Sequence, residues 1–476
     1  MDRRTKIVAT LGPATDSPER LEAILAAGVD VCRINFSHGT ADDHIKRIEF
    51  LRATAAKLGK VVAVLADLPG PKLRAKIAST KILTAGQDVA FSLTAAPVEP
   101  DDITITEPEL LSNIKPGHRI LLDDGRLILA AKEIVNGRVI ASVLIGGVLN
   151  PNKGVNLPDT PLGIAAVTER DMVALEIAAK AGCDWLALSF VRSPDAAKEL
   201  RELAAVYGFK GPIIAKIERP EAVDRITEIV AAFDAIMVAR GDLGVEMALE
   251  KVPAVQKMLI KAARLAGKPV ITATEMLESM TKNPRPTRAE ASDVANAIYD
   301  GTDAVMLSGE TAVGDYPVEA VACMARIALE SESHIAKQEW LEEKVRSGEI
   351  EDPIAQAACE LAVEIAADAI ITPTLTGRTA FLMARHRPTA TIVAPAPTPT
   401  VLRQMALVWG LRPVPMSPLS LSEDRMIAAV RDAFRAGVVR TGQLVVVLAG
   451  HPIEGGPRFP TVRVVRVGEA GASLEP

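Results

Sequence analysis

The sequence predicts an α/β protein. A closed (β/α)₈ barrel of the TIM type carries an inserted small β-barrel lid domain and, beyond it, an open α/β domain at the C-terminal end. Three observations point there. First, short apolar runs, most of them rich in Val and Ile, fall at residues 6–11, 29–34, 60–66, 184–189, 213–217, 234–239, 269–273 and 303–307. Segments with helical periodicity separate most of them, and continuous apolar strands alternating with helices make a parallel sheet covered by helices. Eight such units close into a barrel. Second, the alternation breaks from about residue 75 to 153, where short β-like stretches alternate with the turn signals Asp123-Asp124-Gly125, Asn136-Gly137 and Gly146-Gly147. Third, after a charged stretch at 337–352, helix and strand alternate again, with strands expected at 369–371, 391–394, 412–415, 444–448 and 463–467.

These breaks divide the 476 residues into a catalytic barrel (1–74 and 154–335), a lid (75–153) and a C-terminal domain (353–476). The barrel pattern resumes at Val155-Asn156-Leu157-Pro158. An insert after the third strand stands at the mouth where such barrels build their active sites, so it is placed to exclude water. A composition of 49% hydrophobic and 24% charged residues is that of a globular enzyme, and 3% aromatics leaves the cores to Ala, Val, Ile and Leu. The net charge of −6 argues against nucleic acid as a partner. No apolar run is long enough for a membrane span, and Met1-Asp2-Arg3-Arg4 leads into the first strand without an h-region, so a cytoplasmic location is expected. Cys32, Cys183, Cys323 and Cys359 form no CxxC pair, and the histidines show no ligand spacing. Reduced, buried thiols are expected, without a transition-metal site.

The residues just after the apolar runs carry the chemistry. In Cys32-Arg33-Ile34-Asn35-Phe36-Ser37-His38-Gly39, Arg33, Asn35 and Ser37 alternate and so share one face of an extended strand. A guanidinium beside two neutral oxygen groups suits a phosphoryl group. Lys216 and Glu218 have the same spacing, behind an apolar lead-in, and the next strand ends Val238-Ala239-Arg240-Gly241-Asp242-Leu243-Gly244. Two carboxylates on adjacent strand ends with an ammonium close by fit Mg²⁺ held mainly by substrate oxygens. A structural ion pair is the other reading of Lys216 and Glu218. Gly241 and Gly244 would let backbone N–H groups approach an anion. The hydroxyls of Thr274 and Ser308 either bind a carboxylate and pass a proton through water, or cap helices. Without a GxxxxGK[ST] motif, any nucleotide is held by something other than a P-loop. Together these residues describe Mg²⁺-assisted chemistry on a small phosphorylated or carboxylated molecule. A lyase or aldolase acting on an enolate shares the same needs.

The chain resembles pyruvate kinase over essentially its whole length. The resemblance rests on Thr5–Pro13, Cys32–Gly39, Ile213–Arg219, Ala239–Gly244, Ala273–Met280, the unbroken stretch NPRPTRAEASDVAN at 283–296, and Leu307–Thr311. It implies transfer of a phosphoryl group from phosphoenolpyruvate to ADP, giving pyruvate and ATP in the last step of glycolysis. Lys216 and Arg33 would act on the phosphoryl group, Glu218 and Asp242 would hold Mg²⁺ (with Mn²⁺ as an alternative), and Gly241, Asp242 and Thr274 would seat the substrate carboxylate. Thr274 and Ser308 would mark the proton path. Pro13, Asn35, His38, Arg74 and Lys153 match nucleotide-site positions. A homotetramer is also implied.

Asn35, Ser37 and Asp67 match the family's K⁺ site. Where K⁺-requiring members carry a glutamate, however, this chain has Lys72, in Asp67-Leu68-Pro69-Gly70-Pro71-Lys72. An ammonium there would supply the ion's charge and repel a second cation, so independence from K⁺ is expected. In the last domain, Thr374-Leu375-Thr376-Gly377-Arg378-Thr379 resembles the family's effector loop, and 450–461 matches the second effector segment loosely. The resemblance therefore implies allosteric control by a phosphorylated effector, with Thr374, Thr376, Gly377, Arg378 and Thr379 as its site; a plain helix-capping turn is the other reading.

Overall fold

A computed structural model describes residues 3–161, 163, 165–335, 351–418, 424–452 and 458–475. Every apolar run becomes a strand: β1 (Lys6–Thr10), β2 (Val31–Asn35), β3 (Ala63–Asp67), β4 (Trp185–Leu188), β5 (Ile213–Ile217), β6 (Ala235–Ala239), β7 (Val270–Ala273) and β8 (Ala304–Leu307). They pair in parallel, each with its neighbours in sequence, and β1 closes the ring on β8. Two cores follow from side chains alternating across each strand. One lies between strands and helices, with Ile7, Ile34, Leu186 and Val238. The other fills the barrel, with Val8, Leu65, Trp185, Met237 and Met306.

Capping fixes where the covering helices start. Thr40 with Asp43, Thr168 with Asp171 and Thr287 with Glu290 each form a reciprocal box at a helix N-terminus. Two of these acids do more. Asp171 Oδ1 accepts the Gly70 N–H at 2.8 Å, and Glu290 accepts the Ser279 N–H at 2.7 Å. Gly70 has φ +65°, and a Cβ there would meet the Ser189 Cβ at 2.7 Å, so glycine is required in the loop that carries Lys72.

The insert differs from expectation in closure and extent. Its strands form a five-stranded antiparallel sheet and separate two-stranded ladders around one core, and the hydrogen bonding does not run continuously round a small barrel. Val155–Asn156 pairs antiparallel with Leu121 and Leu122, and Leu157 packs in the lid core. These residues therefore belong to the lid, where the apolar pattern had suggested that the barrel resumes.

In the C-terminal domain the expected strands appear as β9 (Ala369–Ile371), β10 (Thr391–Ala396), β11 (Leu411–Pro415), β12 (Leu444–Pro452) and β13 (Arg458–Val467), joined by a short β14 (Ser473–Leu474). The order is β11-β10-β9-β12-β13-β14, with the last two antiparallel. The helix Glu351–Glu364 opens this domain, and Asp352, read from sequence as linker, is buried in it against Arg385. The rest of the charged stretch, 337–350, and residues 453–457 of the loosely matched effector segment lie outside the described residues.

The C-terminal domain seals the barrel floor. Ala406 and Leu407 join the inner barrel core, and the Trp185 indole donates to the Gln404 carbonyl at 3.2 Å. Arg387 pairs with the buried Asp303 at 2.9 Å and stacks over Trp409 at 4.8 Å. Nearby, His386 is enclosed beside Arg385 and Asp352. Burial first, then the Arg385 charge, push it down to about 4 from its ordinary 6.5. A histidine depressed on folding contributes stability that is complete above pH 6.5 and is lost as pH falls toward 4. The loss should reach about 3 kcal/mol, the size of such a shift. Thermal midpoints measured across this window should fall, and less steeply in His386→Gln.

Candidate active site

Lys216, near the end of β5, is the centre of the mouth. Its Nζ lies 2.8 Å from Glu218 Oε1, 2.8 Å from Ser189 Oγ and 3.1 Å from Asp67 Oδ1. The last contact is an attraction without hydrogen-bond alignment, so Asp67 Oδ1 keeps an unused acceptor position. Asp67 Oδ2 takes the Arg33 Nε–H at 2.7 Å, and Arg33 Nη1 donates to the Thr10 hydroxyl at 3.0 Å. Asn35 is the register partner of Asp67 and accepts the Ser37 N–H at 3.0 Å. Arg33, Asp67, Lys216 and Glu218 thus form one chain of alternating charge across β2, β3 and β5.

The electrostatics follow from burial and sign. Burial disfavours the Lys216 ammonium, but Asp67, Glu218 and Asp242 outweigh it and hold its pKa above the ordinary value. Asp67 is held low: burial works against its charge, and Lys216 and Arg33 more than compensate. Glu218 goes the other way, pushed up to about 7 by burial, with Asp242 adding to it against the pull of Lys216. Its Oε2 accepts the Phe190 N–H at 2.6 Å. A carboxylate under such strain beside a second one gains from a divalent cation, which is the fit expected of Glu218 and Asp242 toward Mg²⁺. Among the described residues no cluster of three or more His, Cys, Asp or Glu could hold an ion alone. Mg²⁺ completed by substrate oxygens and water needs no such cluster.

Asp242 stands in the short helix Arg240–Glu246 that follows β6. The Gly241 N–H donates to Thr274 Oγ1 at 2.7 Å, and that hydroxyl donates in turn to the Ala273 carbonyl at 2.6 Å. Thr274 therefore caps the neighbouring strand's helix, and the Gly241 N–H, expected to face an anion, is taken by it. Gly244 is small for packing: a Cβ there would meet Leu249 at 3.2 Å. Thr274, Glu275 and Phe190 all have positive φ (67°, 54° and 54°), so backbone strain gathers at the ends of β4 and β7. Ser308 gives its N–H to Glu310 Oε2 at 2.7 Å, and its side chain caps no helix. Glu310 is buried and also accepts the Leu277 N–H.

The remaining positions lie toward the lid. Pro13 is exposed after β1. Burial and the charges of Lys72, Arg74, Arg170 and Arg33 depress His38, which locates it among these cations. Arg74 donates to the Asn152 carbonyl at 2.8 Å and bridges to Gly154, while Lys153 is turned onto Asp123 at 2.7 Å. Lys72 is exposed and lines a cleft with Asp124, Asn156 and Asp242.

Two groups had no sequence signal. Buried Arg240 ties the Thr274 carbonyl (2.7 Å) to Asp293 (2.6 Å), which gives the Asp inside the 283–296 stretch its role. Glu246 accepts from the lid's Asn156 at 2.7 Å and pairs with buried Arg219 at 3.0 Å, so it latches the lid to the helix carrying Asp242. Asn156→Ala should lower kcat/KM about tenfold through loss of one buried hydrogen bond. Steady-state kinetics checks this.

Comparison with known proteins agrees with this geometry. The family model described as "Pyruvate kinase, barrel domain" matches residues 2–321, and "Pyruvate kinase, alpha/beta domain" matches 352–465. The chain is 43% identical over 460 residues to a pyruvate kinase of Geobacillus stearothermophilus, covering 95% of this chain and 78% of that protein. It is 42% identical over 458 residues to one of Methylorubrum extorquens, covering 94% of each. With one of Clostridium acetobutylicum the identity is 40% over 471 residues, 97% of this chain and all of its relative. On matches that span both its barrel and its C-terminal domain, this chain belongs to the pyruvate kinase family.

Proposed function

We propose that this chain transfers the phosphoryl group of phosphoenolpyruvate to the terminal phosphate of ADP, releasing pyruvate and ATP. The observation that carries this is the nearly buried Lys216 ammonium held against Glu218 at 2.8 Å, with Arg33 one carboxylate away. As the bond from phosphorus to the enol oxygen breaks, negative charge spreads over the phosphoryl oxygens and the enolate. Lys216 stabilises both, and Arg33 grips two phosphoryl oxygens. The carboxylate seats at Gly241, Asp242 and Thr274, taking over the Gly241 N–H that the Thr274 hydroxyl accepts without substrate. A proton reaches the enolate carbon through the region of Thr274 and Ser308. Glu218 and Asp242 would hold Mg²⁺ or Mn²⁺, which when bound neutralises charge on the transferring group. Pro13, Asn35, His38, Arg74 and Lys153 serve the nucleotide, which the cationic surroundings of His38 support. A coupled assay tests the reading: ATP should form only with ADP, phosphoenolpyruvate and Mg²⁺ together. Pyruvate released without ADP would favour a lyase.

Family membership brings a divalent ion and K⁺ as usual requirements; Lys72 argues that the second is relaxed here. Its charge reaches His38 beside β2, on the side of Asn35, Ser37 and Asp67. Activity in K⁺-free buffer with tetramethylammonium as counter-ion should be within about twofold of that with K⁺, and Lys72→Glu should create a K⁺ requirement. A many-fold activation of the unaltered chain by K⁺ would refute this. The same resemblance supports a cytoplasmic homotetramer, for sedimentation velocity to test. Among the described residues no helix is long and apolar enough to cross a membrane. It also supports an effector site at Thr374, Thr376, Gly377, Arg378 and Thr379. There, Gly377 at φ +88° gives its N–H to Thr374 Oγ1 at 2.9 Å and opens the helix Arg378–Arg385. Substrate curves that stay unchanged under sugar phosphates and AMP would defeat that reading.

A further inference from the structure

The lid leaves and rejoins the barrel through two crossings that pair with each other at the neck. The Val155 N–H donates to the Leu73 carbonyl at 3.0 Å, and the Ala75 N–H to the Lys153 carbonyl at 2.9 Å. Below that ribbon the two chains part. The outgoing one turns at Gly70, and the returning one ends at Thr168, the N-cap of the helix Glu169–Lys180. One carboxylate, Asp171, holds both. Its Oδ1 accepts the Gly70 N–H at 2.8 Å, while Oδ2 accepts the Thr168 N–H at 2.8 Å and the Thr168 hydroxyl at 2.6 Å. Asp171 is 0% exposed, and a carboxylate is costly to bury. Capping alone does not require that burial, since the same box formed by Thr40 and Asp43 lies at the surface.

The other side of the Gly70 turn reaches the reacting centre. Ser189 Oγ donates to the Leu68 carbonyl at 2.8 Å and accepts from Lys216 Nζ at 2.8 Å. Gly70 packs so closely that a Cβ would meet the Ser189 Cβ at 2.7 Å. Residues 68–70 are therefore held between Asp171 on one side and the Ser189–Lys216 pair on the other. We propose that Asp171 is a positioning residue for the reaction. It gathers both roots of the lid at one point and, through the Gly70 turn, keeps Ser189 and the Lys216 ammonium in place. A shift of about 1 Å at a reacting group can cost about 10²-fold in rate, so loss of this tie should appear in kcat. The role in turnover rests on the proposed phosphoryl transfer; the tie itself does not.

Hydrogen exchange of the ligand-free chain, read by mass spectrometry, tests the tie. Asp171→Ala should speed exchange across residues 68–74 by at least about tenfold, as a buried hydrogen bond is lost. Thr168→Ala, which removes the cap hydroxyl and leaves the Gly70 bond, should not. Steady-state kinetics tests the role. In Asp171→Ala, kcat should fall at least about tenfold with KM for phosphoenolpyruvate within about threefold. In Thr168→Ala, kcat should stay within about twofold even as the thermal midpoint drops. Asp171→Asn should recover most of kcat, because its amide oxygen can still accept the Gly70 N–H. If Asp171→Ala does not fold, Asp171→Glu takes its place. There the reciprocal cap survives, as with Thr287 and Glu290, while the extra methylene displaces the Gly70 turn. An equal fall of kcat in Thr168→Ala and the Asp171 variant would reduce Asp171 to a helix cap and overturn the proposal. So would unchanged exchange at 68–74. An unaltered chain that makes no ATP would instead sink the reading of function, with exchange still judging the tie.

Discussion

Lys216→Met should lower kcat by at least about 10³-fold with the fold retained, because one preorganised charge aimed at a developing anion is worth that much in a water-excluded site. Methionine fills similar space but removes the ammonium that touches Asp67, Ser189 and Glu218 together. Buried Glu218 then loses its cation, while Asp67 keeps only Arg33. Glu218, already raised to about 7, should move higher and bind a proton near neutrality. Stability should therefore fall by roughly 3–5 kcal/mol at neutral pH, the penalty for breaking a buried pair. Rapid-quench measurement of the transfer step and a thermal melt separate the two effects. A variant that melts lower yet turns over normally would show Lys216 to be a structural ion-pair member.

Glu218→Gln should weaken the apparent affinity for Mg²⁺ by at least about 10²-fold, since even outer-shell partners of metal ligands cost up to that much. The amide oxygen can still accept the Phe190 N–H, so the ends of β4 and β5 stay joined and the change is mainly in charge. The pH dependence supplies a second signature. Only the ionised carboxylate binds the ion. Because burial first, then Asp242, push Glu218 up to about 7, apparent Mg²⁺ affinity should rise as pH increases through 7 and level off above it. In Glu218→Gln that rising limb should disappear. Mg²⁺ titrations of activity at a series of pH values test both statements. An identical limb in both proteins would assign the titration to another group.

The barrel was legible because each of its strands is a short, mostly apolar run, and buried parallel strands leave that mark whatever surrounds them. The strand ends were legible for the converse reason: charges directly behind apolar runs, such as Lys216 and Glu218, have nowhere to point except the mouth. What pairs with what was less visible. Asp67 joins Arg33 to Lys216 through the lateral register of β2, β3 and β5, which no local pattern encodes. Val155–Asn156 reads like the start of a barrel segment, because a two-residue strand carries no period, and only its ladder to Leu121 and Leu122 assigns it to the lid. The glycines were legible only in part. Gly241 and Gly244 follow a strand as anion-binding glycines do, but one gives its N–H to Thr274 and the other makes room for Leu249. Arg240 carried no signal of its own, and it is folded inward to hold the carbonyl of Thr274.

The plug formed by Ala406, Leu407 and Gln404 sets a rule for anyone cutting this polypeptide apart. A fragment ending at residue 335 would uncork the barrel, baring Trp185 and stranding the carboxylate of Asp303 without Arg387. Such a fragment should aggregate, and chimaeras between relatives should exchange barrel and tail together.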